Sequence, residues 1–253
     1  MFNKSFSSEE VRKYYNDWDE RYERSYGNII QAFRPANDDL LIDYLLESLD
    51  LRSGKHYLDA GCGVGGVSVP FAQKIDCKIT GVTISDIQAE KANKFIQEKG
   101  LDSKIKIFKG DFHHLSNLFE HHIFDGIFFM ESLGHSNSPE KVLSEAYRVL
   151  KPGGFIYIKD FYVRESNNKS EQKEIKKVID QINKHYRYQV MSLNPLLSSI
   201  RKMDVKLNFI KSFDFQDDIS VRSDFETKNQ IELFEGKSEF MPADWFEIKF
   251  TKY

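Results

Sequence analysis

A glycine-rich loop that begins at Asp59 offers the clearest chemistry in the sequence. It reads Asp59-Ala-Gly-Cys-Gly-Val-Gly-Gly66 and lies between a short apolar run and an apolar helical segment. Glycines at this spacing, after a strand and before a helix, let a ligand approach the backbone closely. We expect Gly61 to permit the tight turn, Gly63 to admit the ligand and Gly66 to allow helix–strand packing. The loop alone does not distinguish a dinucleotide from an adenosyl ligand.

Two further observations favour an adenosyl ligand over a dinucleotide. Asp59 precedes the first glycine by two residues, where its carboxylate could order the loop and receive an ammonium group. Dinucleotide-binding folds usually end their second strand with an acid for the ribose. This chain has Gly81-Val-Thr83 at that place and no acid. A tight turn that binds nothing is the simpler alternative for the loop.

Glu131 and His135 are the candidate catalytic residues. They lie in the segment Met130-Glu-Ser-Leu-Gly-His135, directly after the predicted fourth strand. In an open α/β sheet the site lies beyond the carboxyl ends of the strands. A carboxylate there can stabilise a developing cation, and a histidine can act as a general base. The alternatives are that Glu131 orders a loop and that His135 caps or packs against the next helix.

The order of these motifs resembles that of class I (Rossmann-like) S-adenosylmethionine-dependent methyltransferases. The loop from Asp59 resembles their first motif, and Gly110-Asp-Phe112 resembles their adenine-contacting motif. Arg148-Val-Leu-Lys-Pro-Gly-Gly154 resembles the helix end and turn that follow their fourth strand. Gly81-Val-Thr-Ile-Ser-Asp-Ile-Gln88 resembles a variant of cyclopropane-fatty-acid-synthase-like, tocopherol, sterol and geranyl diphosphate C-methyltransferases.

The resemblance implies S-adenosylmethionine as cofactor and S-adenosylhomocysteine as product. Asp59 and the two glycines after it would contact the amino-acid end of the cofactor. Thr83 and Gln88 would bind the ribose region in place of the missing acid, and Asp111 with Phe112 the adenine. The implied cofactor-binding residues are Asp59, Gly61, Gly63, Thr83, Ile84, Gln88, Asp111 and Phe112.

Aromatic residues cluster in the elements outside the predicted cofactor core. The chain has 21 Phe and 12 Tyr, most of which we expect in the core and a minority in an apolar substrate pocket. The predicted substrate-wall residues are Tyr14, Trp18, Tyr22, His185 and Tyr186. Core or surface packing is the alternative for each of them. A diphosphate substrate would require Mg²⁺ or a basic cluster, and only Arg34, Arg187 and scattered lysines are available for one, which argues against such a substrate.

Strands and helices alternate through the middle of the chain. We predict strands at 56–60, 78–82, 104–109, 124–130 and 155–160, and helices at 67–74, 86–99 and 139–150. Such alternation implies right-handed crossovers and a parallel sheet covered on both faces. Strands at 205–213 and 246–251 and helices at 171–188 and 194–203 follow. The prediction is an α/β, Rossmann-like, seven-stranded, mostly parallel sheet with an N-terminal helical cap.

The predicted organisation is one methyltransferase domain over residues 1–253. Residues 1–54 form the cap, 55–160 the cofactor-binding core, and 161–253 the substrate cover with the C-terminal strands. The cap contains helices over about 7–18 and 37–49, the second with Leu40 on its apolar side and Gly54 as its stop.

Composition restricts the partners and the location. The formal net charge is −3 without a Lys/Arg stripe, so nucleic acid is disfavoured as a partner. Cys62 and Cys77 cannot build a disulfide framework or a zinc site, and no metal site is expected. The chain has no signal peptide and no apolar run long enough to span a membrane, so we expect a cytoplasmic protein. Its partner is a small-molecule substrate, and a homodimer is an option that the sequence leaves open.

The leading hypothesis is methyl transfer from S-adenosylmethionine to carbon, nitrogen or oxygen of a small aromatic or terpenoid metabolite of natural-product biosynthesis. A catalytically silent subunit that binds the cofactor is the first alternative. A nicotinamide-dependent oxidoreductase is the second, and both the missing acid after strand two and Gly110-Asp-Phe112 argue against it.

Overall fold

A mixed seven-stranded sheet forms the centre of the protein in the computed structural model, which describes residues 6–213, 220–233 and 241–253. The strands are β1 (His56–Ala60), β2 (Lys78–Thr83), β3 (Ile105–Lys109), β4 (Phe124–Met130), β5 (Leu150–Val163), β6 (Val205–Ser212) and β7 (Ala243–Lys252). Their order is β3-β2-β1-β4-β5-β7-β6. Strands β1 to β5 pair in parallel, and β7 pairs antiparallel with both β5 and β6. The predicted Rossmann-like sheet is confirmed.

Eight α-helices surround the sheet in the described part of the chain. They are α1 (Ser8–Tyr26), α2 (Asp38–Leu49), α3 (Ser68–Lys74), α4 (Asp86–Glu98), α5 (Pro139–Val149), α6 (Lys169–Tyr186), α7 (Leu193–Ile200) and α8 (Ser220–Lys228). Short 3₁₀ helices follow β3 at Phe112–Asn117 and β4 at Leu133–His135. Residues 1–5 of the predicted cap, and 214–219 and 234–240 of the predicted cover, lie outside the described residues. None of the helices described is long and apolar enough to cross a membrane.

Polar side chains set the helix starts. Ser7 caps α1 in a capping box with Glu10, and Asn37 caps α2 through its side-chain oxygen. Helix α2 ends at Leu49, as predicted, but the residue that ends it is Asp50 in a left-handed conformation and not Gly54.

Both faces of the sheet are buried. Ile127, Phe128 and Phe129 of β4 are completely inaccessible to solvent, as expected for a central parallel strand. Phe128 packs in a core with helices α2 and α3, and Phe129 packs in a second core with α5 and α7. Leu40 of α2 was expected in the core but is 56% exposed.

Two further differences concern β5 and α8. The turn expected at the end of the segment 148–154 belongs to β5, whose first residue, Leu150, pairs with Phe124 before an irregularity in the register. Gly153 keeps the positive φ of 75° that a turn requires. Helix α8 was not predicted, because its sequence has no clear apolar periodicity.

Candidate active site

The glycine loop after β1 adopts backbone conformations that favour glycine. Gly61 has a φ of 92° and Gly63 a φ of 53°, both in the left-handed region. A Cβ atom on Gly61 would lie 2.4 Å from Cβ of Ser132, in the loop after β4. The Ser132 hydroxyl donates to the Ala60 carbonyl at 2.6 Å. The loop therefore lies against the carboxyl end of the neighbouring strand.

Asp59 is a buried carboxyl group at the end of β1. Its Oδ2 accepts a hydrogen bond from Ser68 Oγ at 2.6 Å, which ties the strand to helix α3. Burial raises the Asp59 pKa to about 7, and the Ser68 hydrogen bond only partly offsets this effect. A cationic ligand group beside this carboxyl would favour its ionised form.

The segment after β2 contains a buried amide. Thr83 Oγ1 donates to Gln88 Oε1 at 3.1 Å, and the buried Gln88 Nε2 has no hydrogen-bond partner. Ser85 caps α4 by accepting the Gln88 backbone N–H, and its hydroxyl donates to Asn16 Oδ1 at 2.6 Å. The glutamine therefore retains an unused donor, whereas the serine is occupied by capping.

Asp111 and His113 form a polar cluster after β3. Asp111 accepts hydrogen bonds from Ser8 Oγ at 2.6 Å and from the His113 backbone N–H at 2.9 Å. The His113 ring contacts Asp111 Oδ1 and Ser136 Oγ at 2.6 and 2.8 Å. Burial acts to raise the Asp111 pKa, but the hydrogen bonds from His113 and Ser8 hold it well below its usual range. Helix α1 thus reaches this site through Ser8.

These residues line one cleft of about 870 Å³ at the carboxyl ends of β1, β2 and β4. All eight predicted cofactor-binding residues lie in its wall: Asp59, Gly61, Gly63, Thr83, Ile84, Gln88, Asp111 and Phe112. We call it the first cavity. Gly66 also lines it, and a Cβ there would lie 1.8 Å from the Asn28 carbonyl oxygen. The close approach at Gly66 is therefore to the segment between α1 and α2, a contact that the sequence analysis did not predict.

Glu131 is held by a buried lysine that the sequence analysis missed. Lys159 of β5 is completely buried, and its Nζ donates to Glu131 Oε1 at 2.5 Å, Gln31 Oε1 at 2.7 Å and the Phe33 carbonyl at 2.9 Å. Glu131 Oε2 accepts the Ala32 backbone N–H at 2.6 Å. Burial lowers the Lys159 pKa, and Glu131 opposes that shift. Glu131 thus orders residues 31–33, as its structural alternative proposed.

His135 forms a hydrogen-bonded pair with Tyr15 of α1. Its Nδ1 lies 3.0 Å from the Arg187 carbonyl, which only accepts, so Nδ1 carries the hydrogen. Nε2 therefore accepts the Tyr15 hydroxyl, at 2.7 Å. Burial lowers the His135 pKa to about 4, partly opposed by the Arg187 hydrogen bond. The imidazole is consequently neutral at physiological pH.

A second cavity of about 780 Å³ adjoins the first. Its wall is rich in aromatic side chains from α1, β5, α6, the segment after α6 and β7, including Tyr22, Phe161, Tyr188 and Trp245. The residues that line both cavities are Tyr15, Ile30, Glu131 and His135. Both predicted catalytic residues therefore lie at the junction of the cavities.

The structure separates the predicted substrate-wall residues into two groups. Tyr22 and Tyr186 line the second cavity, whereas Tyr14, Trp18 and His185 line neither cavity. Tyr14 donates to or accepts from the Tyr22 hydroxyl at 2.7 Å, and Trp18 packs edge-on against His185. These three side chains support the wall from behind. They were predicted to line it because helical spacing alone does not show which face of α1 meets the cavity.

The basic residues considered for a diphosphate are used elsewhere. Arg34 is buried and donates to the Ile29 carbonyl at 2.8 Å, and the Arg187 guanidinium lies over the Phe6 ring. Neither side chain lines the first or the second cavity. No group of His, Cys, Asp or Glu suited to a metal ion occurs among residues 6–213, 220–233 and 241–253.

Comparison with known proteins assigns the middle of the chain to a known domain family. Residues 58–158 match the family described as "Methyltransferase domain". The sterol 24-C-methyltransferase of Candida albicans is 31% identical over 177 residues, which cover 67% of this chain and 46% of that protein. The Pneumocystis carinii enzyme is 35% identical over 151 residues, which cover 57% and 40%. The chain spans about half the length of the curated relatives it matches.

Solved structures resemble the chain over almost its whole length. The [4+2]-cyclase SpnF has a TM-score of 0.80 at 20% identity and covers 97% of this chain and 96% of its own. Geranyl diphosphate C-methyltransferase from Streptomyces coelicolor A3(2) has a TM-score of 0.75 at 16% identity, with 97% of each chain covered. At these identities the likeness concerns the fold. Residues 58–158 thus match a methyltransferase domain, and the chain as a whole shares the fold of these solved structures.

Proposed function

We propose that this protein transfers the methyl group of S-adenosylmethionine to a small, largely apolar molecule of terpenoid or sterol type. The observation that carries the proposal is the junction of the two cavities. One cavity is lined by all eight predicted cofactor-binding residues and the other mainly by aromatic side chains, and they share Tyr15, Ile30, Glu131 and His135. The sterol methyltransferase relatives support the same class of substrate.

The first cavity suits S-adenosylmethionine chemically. Asp59 would receive the ammonium group, and the unused Gln88 Nε2 donor would bind a ribose oxygen. Gly63 leaves the backbone open to a ligand, and Phe112 would contact the adenine. Bound there, the cofactor supplies an electrophilic methyl group, so the protein chiefly has to position the acceptor.

Tyr15 and His135 can remove a proton from the acceptor. Tyr15 lines both cavities and its hydroxyl already donates to the neutral His135 Nε2. The tyrosine oxygen would take the substrate proton while its own proton moves to the imidazole. Glu131, engaged by Lys159 and Ala32, is assigned to positioning rather than to proton transfer.

The proposal is tested with purified protein, radiolabelled S-adenosylmethionine and a panel of apolar acceptors such as squalene, farnesol and zymosterol. We expect label to enter at least one acceptor, and S-adenosylhomocysteine to raise the melting temperature by mass action. A Gln88→Ala variant should lose most of that stabilisation, whereas Gln97→Ala, a change on the same helix outside the cavity, should not. Absence of S-adenosylhomocysteine binding would overturn the proposal.

A second candidate is binding of the cofactor without methyl transfer. It is favoured by the fold similarity to SpnF, which is named as a [4+2]-cyclase. The same panel distinguishes the two functions. Stabilisation by S-adenosylhomocysteine together with acceptors that are converted but unlabelled would support the second candidate.

A further inference from the structure

Three polar side chains lie in the second cavity away from the junction. Arg222 and Glu226 of α8 and Tyr186 of α6 line the second cavity and do not line the first. The Tyr186 hydroxyl donates to Glu226 Oε1 at 3.0 Å. Arg222 Nε lies 3.5 Å from the same oxygen, an ion pair at long hydrogen-bonding distance. They form a polar patch in a wall that is otherwise mostly aromatic and aliphatic.

The charges of this patch select the group that can bind it. A phosphate would contact Arg222 but would be repelled by Glu226, and an ammonium group would meet the opposite conflict. In a largely desolvated cavity such like-charge contacts are costly. A hydroxyl group can donate to the carboxylate and accept from the guanidinium at the same time. The patch therefore suits an uncharged alcohol better than an anion or a cation.

Among the described residues, no second lysine or arginine lines the second cavity to neutralise the negative charge of a diphosphate. Arg222 is the one lysine or arginine among the described residues that line the second cavity. Lys159 lies behind the wall, where it donates to Glu131. Arg34 donates to backbone carbonyls of the α1–α2 segment.

We propose that Arg222, Glu226 and Tyr186 bind the hydroxyl end of an apolar alcohol whose hydrocarbon body fills the aromatic cavity. The reacting part of that molecule then lies at the junction, beside Tyr15 and His135. This inference rests on the proposed function and specifies its substrate: a terpenoid or sterol alcohol, not a diphosphate ester.

The test uses two carbon skeletons, farnesol and cholesterol, each as the free alcohol, the methyl ether and the phosphate ester. Affinities are measured by calorimetry with the full chain saturated with S-adenosylhomocysteine. For at least one skeleton we expect the alcohol to bind about tenfold more tightly than its own ether and its own phosphate ester. Equal binding of alcohol and ether, tighter binding of the phosphate ester, or no binding of either skeleton overturns the inference.

A Glu226→Gln variant distinguishes recognition of the alcohol by Glu226 from a purely structural role of this residue. It removes the negative charge beside Arg222, so the alcohol should bind about tenfold more weakly while the phosphate ester binds more tightly than to the wild type. Asp224→Asn is the matched control, since Asp224 is on the same helix and half exposed. A parallel loss of affinity for all three ligands in Glu226→Gln would contradict the inference. S-adenosylhomocysteine affinity, measured separately, reports whether the proposed function itself fails.

Discussion

Asp59 and His135 are both buried beside the first cavity, and burial shifts their pKa values toward the neutral form. The Asp59 carboxyl has a pKa of about 7, far above its usual range. The His135 imidazole has a pKa of about 4, below its usual range. The Asp59 carboxyl can therefore gain a negative charge when a cation binds, and His135 stays a neutral imidazole whose Nε2 accepts the Tyr15 hydroxyl.

Cofactor binding should therefore depend on pH through Asp59. Its carboxyl is protonated in the free protein below about pH 7, whereas the ammonium group of S-adenosylhomocysteine requires the ionised form. We expect the affinity for S-adenosylhomocysteine to fall as the pH decreases from 8 to 5.5. 5′-Methylthioadenosine, which lacks the amino-acid part, should show no such dependence. A calorimetric pH series compares them, and equal slopes for the two ligands would exclude this role of Asp59.

The Tyr15 hydroxyl should matter for turnover more than for binding. Tyr15→Phe keeps the ring at the junction but removes the group that bonds to His135. If the acceptor must lose a proton, kcat should fall by about 10²-fold or more with little change in KM. Tyr14→Phe is the control, because Tyr14 lies outside both cavities. Initial rates with labelled cofactor measure both parameters, and equal kcat values for the two variants would refute the relay.

The segment between α1 and α2 is the element that closes the first cavity. Lys159 and Glu131 bind its residues 31–33, and Gly66 gives Asn28 room to lie against the glycine loop. Lysine at the end of an apolar strand is usually solvated, so sequence alone gave no sign of this buried pair. Only the tertiary arrangement brings residues 31–33 within reach of the strand.

Removal of the buried lysine should release this segment. Lys159→Met leaves the Glu131 carboxylate buried without its ion-pair partner, which we expect to lower the free energy of unfolding by about 3–5 kcal/mol. Lys151→Met, on the same strand, breaks a partly exposed pair with Asp125, which keeps Lys55 as a partner, and should cost less than about 1 kcal/mol. Urea unfolding measures both. The double variant Lys159→Met/Glu131→Gln should recover part of the loss, and similar costs for Lys159→Met and Lys151→Met would contradict the role.

Local sequence signals account for most of the elements but not for how the cap meets the core. The first four strands were predicted to within one residue, because apolar runs between glycines and caps define them. The cofactor motifs also indicated residues that share one cavity. The wall of the second cavity was predicted only in part, since helix α8 has weak periodicity and long-range contacts select which tyrosines face inward.

The contact at Gly66 gives an element-scale prediction. A methyl group there would meet the Asn28 carbonyl at 1.8 Å, a backbone atom that can move only with its segment. Gly66→Ala should therefore displace this part of the cavity wall and weaken S-adenosylhomocysteine binding by about tenfold or more. Gly100→Ala is the control: alanine at a φ of 66° would be strained, but no atom lies within 4 Å of the added Cβ. An unchanged dissociation constant in Gly66→Ala would show that the segment is not part of the binding surface.

At the scale of the whole molecule, α1 connects the two cavities. Ser8 at its start bonds to Asp111 of the first cavity, and Tyr15 lines both cavities. Arg12 pairs with Asp86 at 2.8 Å, and Lys91 of α4 pairs with Asp19 at 2.5 Å. A ligand that fixes α1 from one cavity therefore also fixes the wall of the other.

S-adenosylhomocysteine and the apolar alcohol should consequently each increase the affinity of the protein for the other. We expect S-adenosylhomocysteine to order Tyr15 and Ile30 from the first cavity, so that an apolar alcohol entering the second cavity no longer has to pay the entropy of ordering this shared wall. We expect the alcohol to bind about 5- to 150-fold more tightly when the cofactor product is present. Linkage requires the alcohol to raise the affinity for S-adenosylhomocysteine by the same factor, so calorimetric titrations in both orders provide an internal check. 5′-Deoxyadenosine as first ligand tests whether the amino-acid end of the cofactor is needed. Equal alcohol affinities with and without S-adenosylhomocysteine would mean that the shared wall is rigid before either ligand binds.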